Sequence, residues 1–429
     1  MEPYLLHLIH AAPSTIRISM KVLIVTVAFP PSPHANAKRP FFVAKAMLEA
    51  GWQVEVLTTR DGMPDSAVEV LDHPGCRITR LPDPVSDAKA ALTSKPRLAR
   101  ILHLAANGML WPDFHRLWVR KVIRAIRERQ GGYDRVLAFV FPASLFLTGK
   151  ERDLVDERWT FDMQEPVSTQ YKRYPRRSAM QRLLTPRLER LELHTLHRAG
   201  AVIFTADTNR RTSIAEGLVP AERAIHIPFF FEPETFSGPT EVASGFQITY
   251  FGNFDLRGHR NPATFLESLA LFLERNPQAR DVTRFVFHGS WLPEHDSIIA
   301  RHGLMDVVSI REPVPFHEYL VRVRQSPMLL LVAAAEHNLF MPSKVIEYIA
   351  TGRPVLAFAP KDSEVAGVLT AAGMDQFICG EGDSNEGAAA LERLWKLHQQ
   401  GQMHPTTNRN GNWSASHQIP RYLEAVRAR

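Results

Sequence analysis

A lysine and a glutamate lie three residues apart, at Lys344 and Glu347. Apolar residues recur around them at spacings of three and four, which predicts a helix that begins at Pro342 and ends at Gly352. The two charged groups then lie one turn apart near the helix N-terminus. There the lysine and the backbone amides favour phosphate groups, and the carboxylate can accept hydrogen bonds from ribose hydroxyls. The pattern fits a nucleoside diphosphate site, and it equally fits an exposed ion pair on an ordinary helix.

With 429 residues, 45% of them hydrophobic, the chain is long enough for two domains that each have a core. Lys and Arg number 51 against 45 Asp and Glu, a net charge of +6. The basic residues concentrate at 95–129 and 172–190, which favours an anionic partner for the first half. Nucleic acid, a phospholipid surface and a phosphorylated acceptor all fit this charge, as do solvated helix faces without a ligand.

Only two cysteines occur, Cys76 and Cys379, and no Cys-x-x-Cys or Cys and His cluster accompanies them. This argues against a disulfide framework or a structural zinc site and favours a reducing cytoplasm. No apolar run approaches the roughly 20 residues that span a bilayer. Residues 1–19 lack the basic start and the apolar length of a signal peptide, and we expect a disordered extension there.

Short apolar segments alternate with amphipathic ones, which predicts parallel sheets with helices on both faces. Strands are predicted at 21–28, 53–59, 135–141, 159–162 and 201–205, then at 246–252, 284–289, 307–311, 328–333, 354–359 and 376–379. Thr185 and Pro186 predict a helix start ahead of the strand at 201.

This order of elements predicts an α/β protein with two doubly wound, Rossmann-like domains that face each other across a cleft. The predicted bounds are 20–228 for the first domain and 246–405 for the second. A linker is expected at 229–245, where Phe, Pro, Glu and Ser interrupt the alternation. Residues 406–429 are expected to form a C-terminal helix that packs back on the first domain.

The segment 342–357 has the form Pro-Ser-Lys-x-x-Glu-Tyr-x-Ala-x-Gly-x-Pro-Val. It resembles the donor-binding helix and following strand of GT-B glycosyltransferases, in particular the retaining group called family 4. Phe-Pro-Pro at 29–31, followed by a helix and the segment 51–58, resembles the opening unit of the family. The segments 248–253 and 285–289 resemble parts of its second domain. Together these matches cover most of residues 21–360 in the order of the family, which implies a GT-B fold.

The resemblance implies that Glu347 holds the ribose and that Lys344 faces the diphosphate, with the amides around Phe340 to Ser343, so Pro342 and Ser343 also belong to the expected donor site. The other donor residues implied by position are Gly252, Asn253, Arg257 and Arg260. Arginine can fork onto phosphate oxygens, whereas lysine acts as a point charge. The spacing of the two arginines differs from the usual basic pair of the family, so a solvated loop is the alternative for them.

One departure from the family concerns the sugar. The common pair of glutamates separated by seven residues is absent, because Leu339 stands eight residues before Glu347. We expect the sugar hydroxyls to contact Glu336, His337 or Asn338, or main-chain amides, instead.

A second departure concerns the first loop, which lacks the frequent Gly-Gly. It offers His34, Lys38 and Arg39 to the cleft, with a merely solvated loop as the alternative. Asp162, at the end of a strand, is the expected acceptor-side carboxylate, with a helix-capping role as the alternative.

Glycosyl transfer requires that the leaving diphosphate is stabilised while the anomeric carbon becomes oxocarbenium-like. No Asp-x-Asp flanked by apolar residues occurs, so we expect no metal and no other cofactor. Arg257, Arg260, Lys344 and helix amides are expected to neutralise the leaving group, and Lys344, Arg257 and Asp162 are the predicted catalytic residues. The resemblance implies retention by front-face attack, in which the departing phosphate helps take the acceptor proton.

The predicted function is a hexosyltransferase-like glycosyltransferase that moves a sugar from a nucleotide-diphosphate donor to a saccharide or lipid-linked acceptor. Cell-surface polysaccharide or glycolipid synthesis is the expected setting. The expected partners are the two substrates and an anionic membrane surface, and nucleic acid is not expected. The protein is expected in the cytoplasm, docked at the inner face of the cell membrane. A sugar-nucleotide epimerase and a noncatalytic GT-B partner protein are the alternatives. An NAD-dependent oxidoreductase is disfavoured because Phe-Pro-Pro, not Gly-x-Gly-x-x-Gly, follows the first strand.

Overall fold

A computed structural model gives the architecture of the chain. The structure describes residues 20–32, 34–60, 71–92, 94–129, 132–151, 153–173, 179–254, 260–289, 291, 293–314, 316–333, 338–403 and 411–428. The predicted site residues Arg257, Glu336 and His337, and the predicted extension at 1–19, lie outside the described residues.

The first sheet has seven parallel strands. They are β1 (Lys21–Val25), β2 (Gln53–Thr59), β3 (Cys76–Leu81), β4 (Arg135–Val140), β5 (Trp159–Met163), β6 (Ala201–Phe204) and β7 (Ala224–His226). Their order in space is β3-β2-β1-β4-β5-β6-β7, so strands are first added on one side of β1 and then, from β4 onward, on its other side. β1 is flanked on both sides and is almost entirely buried, as its run of Val, Leu and Ile predicts.

The second sheet has six parallel strands in the order β10-β9-β8-β11-β12-β13. They are β8 (Phe246–Phe251), β9 (Thr283–His288), β10 (Val308–Arg311), β11 (Met328–Val332), β12 (Val355–Phe358) and β13 (Ile378–Cys379). As in the first sheet, strands are first added on one side of the first strand, β8, and then, from β11 onward, on its other side. The predicted class, two doubly wound α/β units, is confirmed.

Helices connect the strands and cover both faces of each sheet. Those of the first half are α1 (Lys38–Glu49), α2 (Pro84–Ala91), α3 (Pro96–Met109), α4 (Arg116–Glu128), α5 (Ser168–Arg173), α6 (Ala179–Leu196), α7 (Asp207–Ala215) and α8 (Pro233–Phe236). Those of the second half are α9 (Ala263–Arg275), α10 (Pro293–Arg301), α11 (Phe316–Gln325), α12 (Ser343–Ala350), α13 (Glu364–Ala371), α14 (Ser384–Gln399) and α15 (Ala415–Arg427).

Several local predictions need correction. The helix at the predicted donor site begins at Ser343, and Pro342 is its extended N-cap residue. The helix start predicted at Thr185 and Pro186 is wrong, because both residues lie inside the continuous helix α6. β3, β7 and α3 were not predicted.

The last helix, α15, packs against the first sheet. Tyr422, Ala425 and Val426 are buried in the same core as Val22 and Ile24 of β1. The side chain of Arg135, at the start of β4, donates to the carbonyl oxygens of Val426 and Arg427. The chain therefore crosses from the second half back to the first beside the linker, where Phe231 exchanges backbone hydrogen bonds with Trp413 and Ala415.

The carboxyl edges of the two sheets face each other. Lys38, which begins α1 after β1, forms an ion pair with Glu347 of α12, which follows β11. Asp207 and Thr208, at the start of α7 after β6, donate their backbone N–H groups to Glu364, which follows β12. This is the edge at which ligands bind in doubly wound sheets. Within the described residues, none of the helices combines the length and apolarity needed to cross a membrane.

Candidate functional site

The turn after β8 brings backbone and a lysine into close contact. Lys344, in the first turn of α12, donates from Nζ to the carbonyl oxygen of Phe251 at 2.6 Å. Gly252 follows with φ of +122°, and a Cβ placed on it would lie 2.9 Å from the same Nζ. A residue with a side chain would thus be strained in backbone and would push the lysine away. The structure therefore brings Gly252 and Lys344, two of the predicted donor residues, together.

The ammonium of Lys344 lies in a poorly solvated position. Burial, with a smaller contribution from the charges of Arg260 and Lys38, lowers its pKa from the ordinary 10.5 to about 7, and the charge of Glu347 opposes this change. The Nζ also lies 5.1 Å from the ring centroid of Tyr250. An anion bound next to this ammonium would stabilise its charged form and raise its pKa.

Both carboxylate oxygens of Glu347 have partners. Oε1 accepts from Nζ of Lys38 at 2.5 Å, and Oε2 accepts from the hydroxyl of Tyr319 at 2.7 Å. Lys38 belongs to the first half of the chain and also lies 5.3 Å from the ring centroid of Tyr319. Lys38 therefore pairs with the carboxylate to which the resemblance assigns a ribose.

Arg260 and Glu165 bring opposite charges to the same edge. Glu165 follows β5, and burial raises the pKa of its carboxyl while the charge of Arg260 opposes that rise. Arg260 also acts on Lys344, so its guanidinium is electrostatically coupled to both halves of the chain. Glu165 is a largely buried carboxylate just after β5 that the sequence analysis did not select.

The described residues include three further predicted donor residues, Ser343, Asn253 and Asn338. Ser343 lines a narrow cleft together with Lys38 and Glu347. The backbone carbonyl of Asn253 accepts from the hydroxyl of Tyr250 at 3.4 Å. Asn338 accepts from Thr208 through its backbone oxygen, and its side-chain Oδ1 is buried without a hydrogen-bond partner among the described residues.

Arg39 and Asp162, predicted as cleft groups, are instead buried inside the first half of the chain. Arg39 donates from Nε to Asp162 Oδ2 at 2.8 Å, and its other nitrogens donate to the carbonyls of Ile227 and Pro228. The same Oδ2 accepts from the hydroxyl of Tyr422 at 2.6 Å. Asp162 has no exposed surface. In this conformation the Arg39 and Asp162 pair joins α1, β5 and α15 and does not reach the cleft surface. His34, the other predicted residue of the first loop, is exposed.

Tyr319 is a further site residue that the sequence analysis missed. It reaches Glu347 from α11, and no motif surrounds it because the contact joins two separate elements. Glu364, which the sequence offers either as a sugar contact or as part of a surface turn, caps the N-terminus of α7 from the opposite half of the chain. Across the part of the chain that the structure describes, no three or more His, Cys, Asp or Glu side chains are grouped to hold a metal.

Comparison with solved structures gives the fold. A sucrose-phosphate synthase from Thermosynechococcus elongatus matches with a TM-score of 0.66 and 16% identity, over 95% of this chain and 98% of that one. An α,α-trehalose-phosphate synthase (UDP-forming) from Burkholderia vietnamiensis matches at 0.62 and 13%, over 96% and 97%. WaaG, a glycosyltransferase involved in lipopolysaccharide biosynthesis, matches at 0.62 and 12%, over 95% and 100%.

These neighbours are GT-B glycosyltransferases, and the chain has their two-domain fold. At 12 to 16% identity the similarity extends to the fold and not to the substrates. No protein-family model matches the chain, and no curated protein sequence matches it.

Proposed function

We propose that the protein is a metal-independent, retaining glycosyltransferase that transfers a sugar from a nucleoside diphosphate donor to a saccharide or lipid-linked acceptor. The observation that carries the proposal is the Lys344 ammonium held against the Gly252 turn, one helical turn from the Glu347 carboxylate, at the carboxyl edge of the second sheet. The GT-B fold of the chain supports it.

The donor phosphates would lie between Lys344, Arg260 and the first amides of α12. As the diphosphate leaves, negative charge develops on its oxygens, and positive groups already in place stabilise that charge. The ribose hydroxyls would take the place of Lys38 on Glu347, which frees the Lys38 ammonium for the cleft. The chemistry needs no protein nucleophile if the leaving phosphate takes the acceptor proton.

On the acceptor side we assign Glu165 in place of the buried Asp162. Glu165 follows β5 at the carboxyl edge of the first sheet, and burial raises the pKa of its carboxyl while the charge of Arg260 opposes that rise. Buried carboxyls with a raised pKa next to an opposite charge are frequent at catalytic sites. Glu165→Gln should lower the turnover number while leaving affinity for the nucleoside diphosphate within about threefold. An unchanged turnover number would remove Glu165 from the acceptor site.

The test of the whole proposal begins with UDP, GDP and ADP as ligands in thermal denaturation, followed by their sugars in turnover assays. Glu347→Gln should weaken binding of the stabilising nucleoside diphosphate by about 10- to 100-fold, since a hydrogen bond to a charged group contributes roughly 1.5–3 kcal/mol. Lys344→Met should have a similar effect. Glu267→Gln, an exposed change on α9, is the control.

Product analysis separates the proposal from its rivals. A transferase releases free nucleoside diphosphate and a glycosylated acceptor, whereas an epimerase returns an altered nucleotide sugar. If no nucleoside diphosphate stabilises the protein, or if the Glu347 and Lys344 variants bind as tightly as the wild type, the donor site is wrongly placed.

Helix α3 supports association with an anionic membrane. Leu98, Ile101 and Met109 are exposed by 49%, 61% and 83% and fall on one side of the helix, and Lys95 and Arg97 beside them are exposed. We expect the protein to sediment with vesicles that contain phosphatidylglycerol and not with phosphatidylcholine vesicles. Ile101→Asp should reduce this binding at unchanged thermal stability, and equal sedimentation with both vesicles would contradict docking on anionic lipid.

A further inference from the structure

A cavity of about 430 Å³ lies between one face of the second sheet and helix α11. None of the predicted donor residues lines it. Its walls are formed by Gln247, Thr249 and Phe251 of β8, Val286 and His288 of β9, Arg311 of β10, Arg322 and Gln325 of α11, and Ala243 and Ser326. Its volume is in the range of small-molecule sites, which span roughly 300–1,000 Å³.

The register of the strands aligns three of these side chains in a row. Phe251 pairs with His288, and His288 pairs with Arg311, so their side chains project side by side from the same face. The rings of Phe251 and His288 stack with their centroids 5.1 Å apart and an angle of 5° between their planes. The carboxyl half of the cavity therefore has a fixed aromatic wall next to a guanidinium.

The face of the second sheet that lines the cavity carries polar side chains, whereas the opposite face is apolar. The alternate residues of the same strands, including Ile248, Tyr250, Phe285 and Phe287, are buried in the apolar core. A sheet face covered by a helix is normally apolar as well. Here Gln247, Thr249, His288 and Arg311 line an open cavity instead, which suits a polar ligand better than it suits core packing.

The charge of the lining is entirely positive. Arg311 and Arg322 are its charged residues, and both guanidiniums add to the burial that lowers the pKa of His288. Within the described residues, the Arg311 guanidinium has no hydrogen-bond or ion-pair partner, and Arg322 has only Glu318, at 4.0 Å on the same exposed side of α11. His288 Nδ1 is buried and without a hydrogen-bond partner in the same part of the chain.

From these observations we infer that the cavity is a second ligand site, which binds a small phosphorylated molecule about the size of a sugar monophosphate. The paired N–H groups of an arginine guanidinium can donate to two oxygens of one phosphate group. The amides of Gln247 and Gln325 and the hydroxyl of Thr249 can hydrogen-bond to the hydroxyls of an attached sugar. The site is distinct from the donor cleft, because it shares neither Lys344 nor Glu347.

Glucose 6-phosphate is a suitable probe, with uncharged glucose as its matched comparison, in titration calorimetry on the full chain. Wild type should bind the phosphate ester at least tenfold more tightly than glucose. Arg311→Gln and Arg322→Gln should each weaken that binding at least tenfold, and Arg301→Gln, which removes an exposed arginine of α10, should not. The double variant Lys344→Met, Glu347→Gln should keep the binding.

Absence of binding at millimolar probe would overturn the inference. So would binding that survives both cavity variants, or that is lost in the Lys344 and Glu347 double variant, since the probe would then occupy the donor or acceptor cleft. Should the arginine variants misfold, the wild type still permits the test. The imidazole resonances of His288, assigned with His288→Gln, should shift on addition of glucose 6-phosphate and not of glucose.

Discussion

The lysine at the proposed donor site, Lys344, loses its proton near neutral pH. Its pKa lies at about 7 because the ammonium is buried beside other cations. A bound diphosphate would favour the charged form, so binding above pH 7 requires uptake of a proton by Lys344. We therefore predict that affinity for the nucleoside diphosphate falls by up to about tenfold per pH unit between pH 7.5 and 9.

Calorimetry in buffers of different ionisation enthalpy measures this uptake, which should approach one proton at pH 8.5. Lys344→Met removes the titrating group and should bind weakly with a flat pH profile in this range. Lys344 also makes the free energy of unfolding depend on pH. Unfolded lysine keeps its proton up to pH 10.5, so the unfolded state binds more protons between pH 7 and 10.5 and the free energy of unfolding rises with pH there. Proton-independent binding would show that Lys344 does not contact the phosphates.

Residue spacing was sufficient to place Lys344 and Glu347 on one short helix, as the structure has them. It was insufficient for Arg39 and Asp162, whose shared partner Tyr422 lies 260 residues after Asp162 in the chain. A buried ion pair and an exposed catalytic pair use the same residue types, and only the tertiary contacts distinguish them. The partners of Glu347 show the same limit, because Lys38 comes from the other domain.

At the scale of elements, helix α15 depends on one buried hydrogen bond and ion pair. Asp162→Asn would leave the Arg39 cation buried without a counter-ion, which we expect to destabilise the protein by roughly 3–5 kcal/mol. Tyr422→Phe removes one hydrogen bond to a charged group and should cost about 1–3 kcal/mol. Urea unfolding followed by tryptophan fluorescence measures both.

An exposed aspartate and arginine pair in the same protein provides the control. Asp306 bonds to Arg280 at 2.6 Å, with both side chains well exposed. Asp306→Asn should cost under about 1 kcal/mol because solvent screens the pair. Equal losses for Asp162→Asn and Asp306→Asn would mean that burial of the first pair does not govern the stability of the fold.

The order of elements was predictable where strands are buried on both sides. β1, β4, β8 and β11 are central and carry continuous apolar runs, so their existence followed from composition. The edge strands β3 and β7 were missed because β3 carries two arginines among half-exposed residues and β7 has only three residues. The false helix start at Pro186 arose because a proline in a long helix resembles one at its first turn.

At the scale of the whole molecule, Glu364 joins the two domains. It accepts from the backbone N–H groups of Asp207 and Thr208 at 2.9 and 2.8 Å, which caps α7 across the cleft. Glu364→Ala should weaken this interface by about 0.5–2 kcal/mol, the usual loss when a cap is removed. We expect a larger radius of gyration in small-angle X-ray scattering and faster proteolysis within residues 229–245.

Glu267→Ala, which removes an exposed glutamate far from the interface, should change neither quantity. Saturating nucleoside diphosphate should act on the same equilibrium, because it competes with Lys38 for Glu347. A Glu364→Ala protein that scatters and digests like the wild type would show that the capping bonds do not set the distance between the domains.

The return of α15 to the first sheet bears on how the protein is made. During synthesis, residues 21–226 leave the ribosome long before Tyr422 and Val426 exist, so the face of the first sheet that they cover is initially open to water. The nascent first domain would thus expose apolar surface until translation is nearly finished, and it becomes a natural client for chaperones. A stop codon shortly before residue 415 would remove no strand, yet it would leave that surface uncovered permanently.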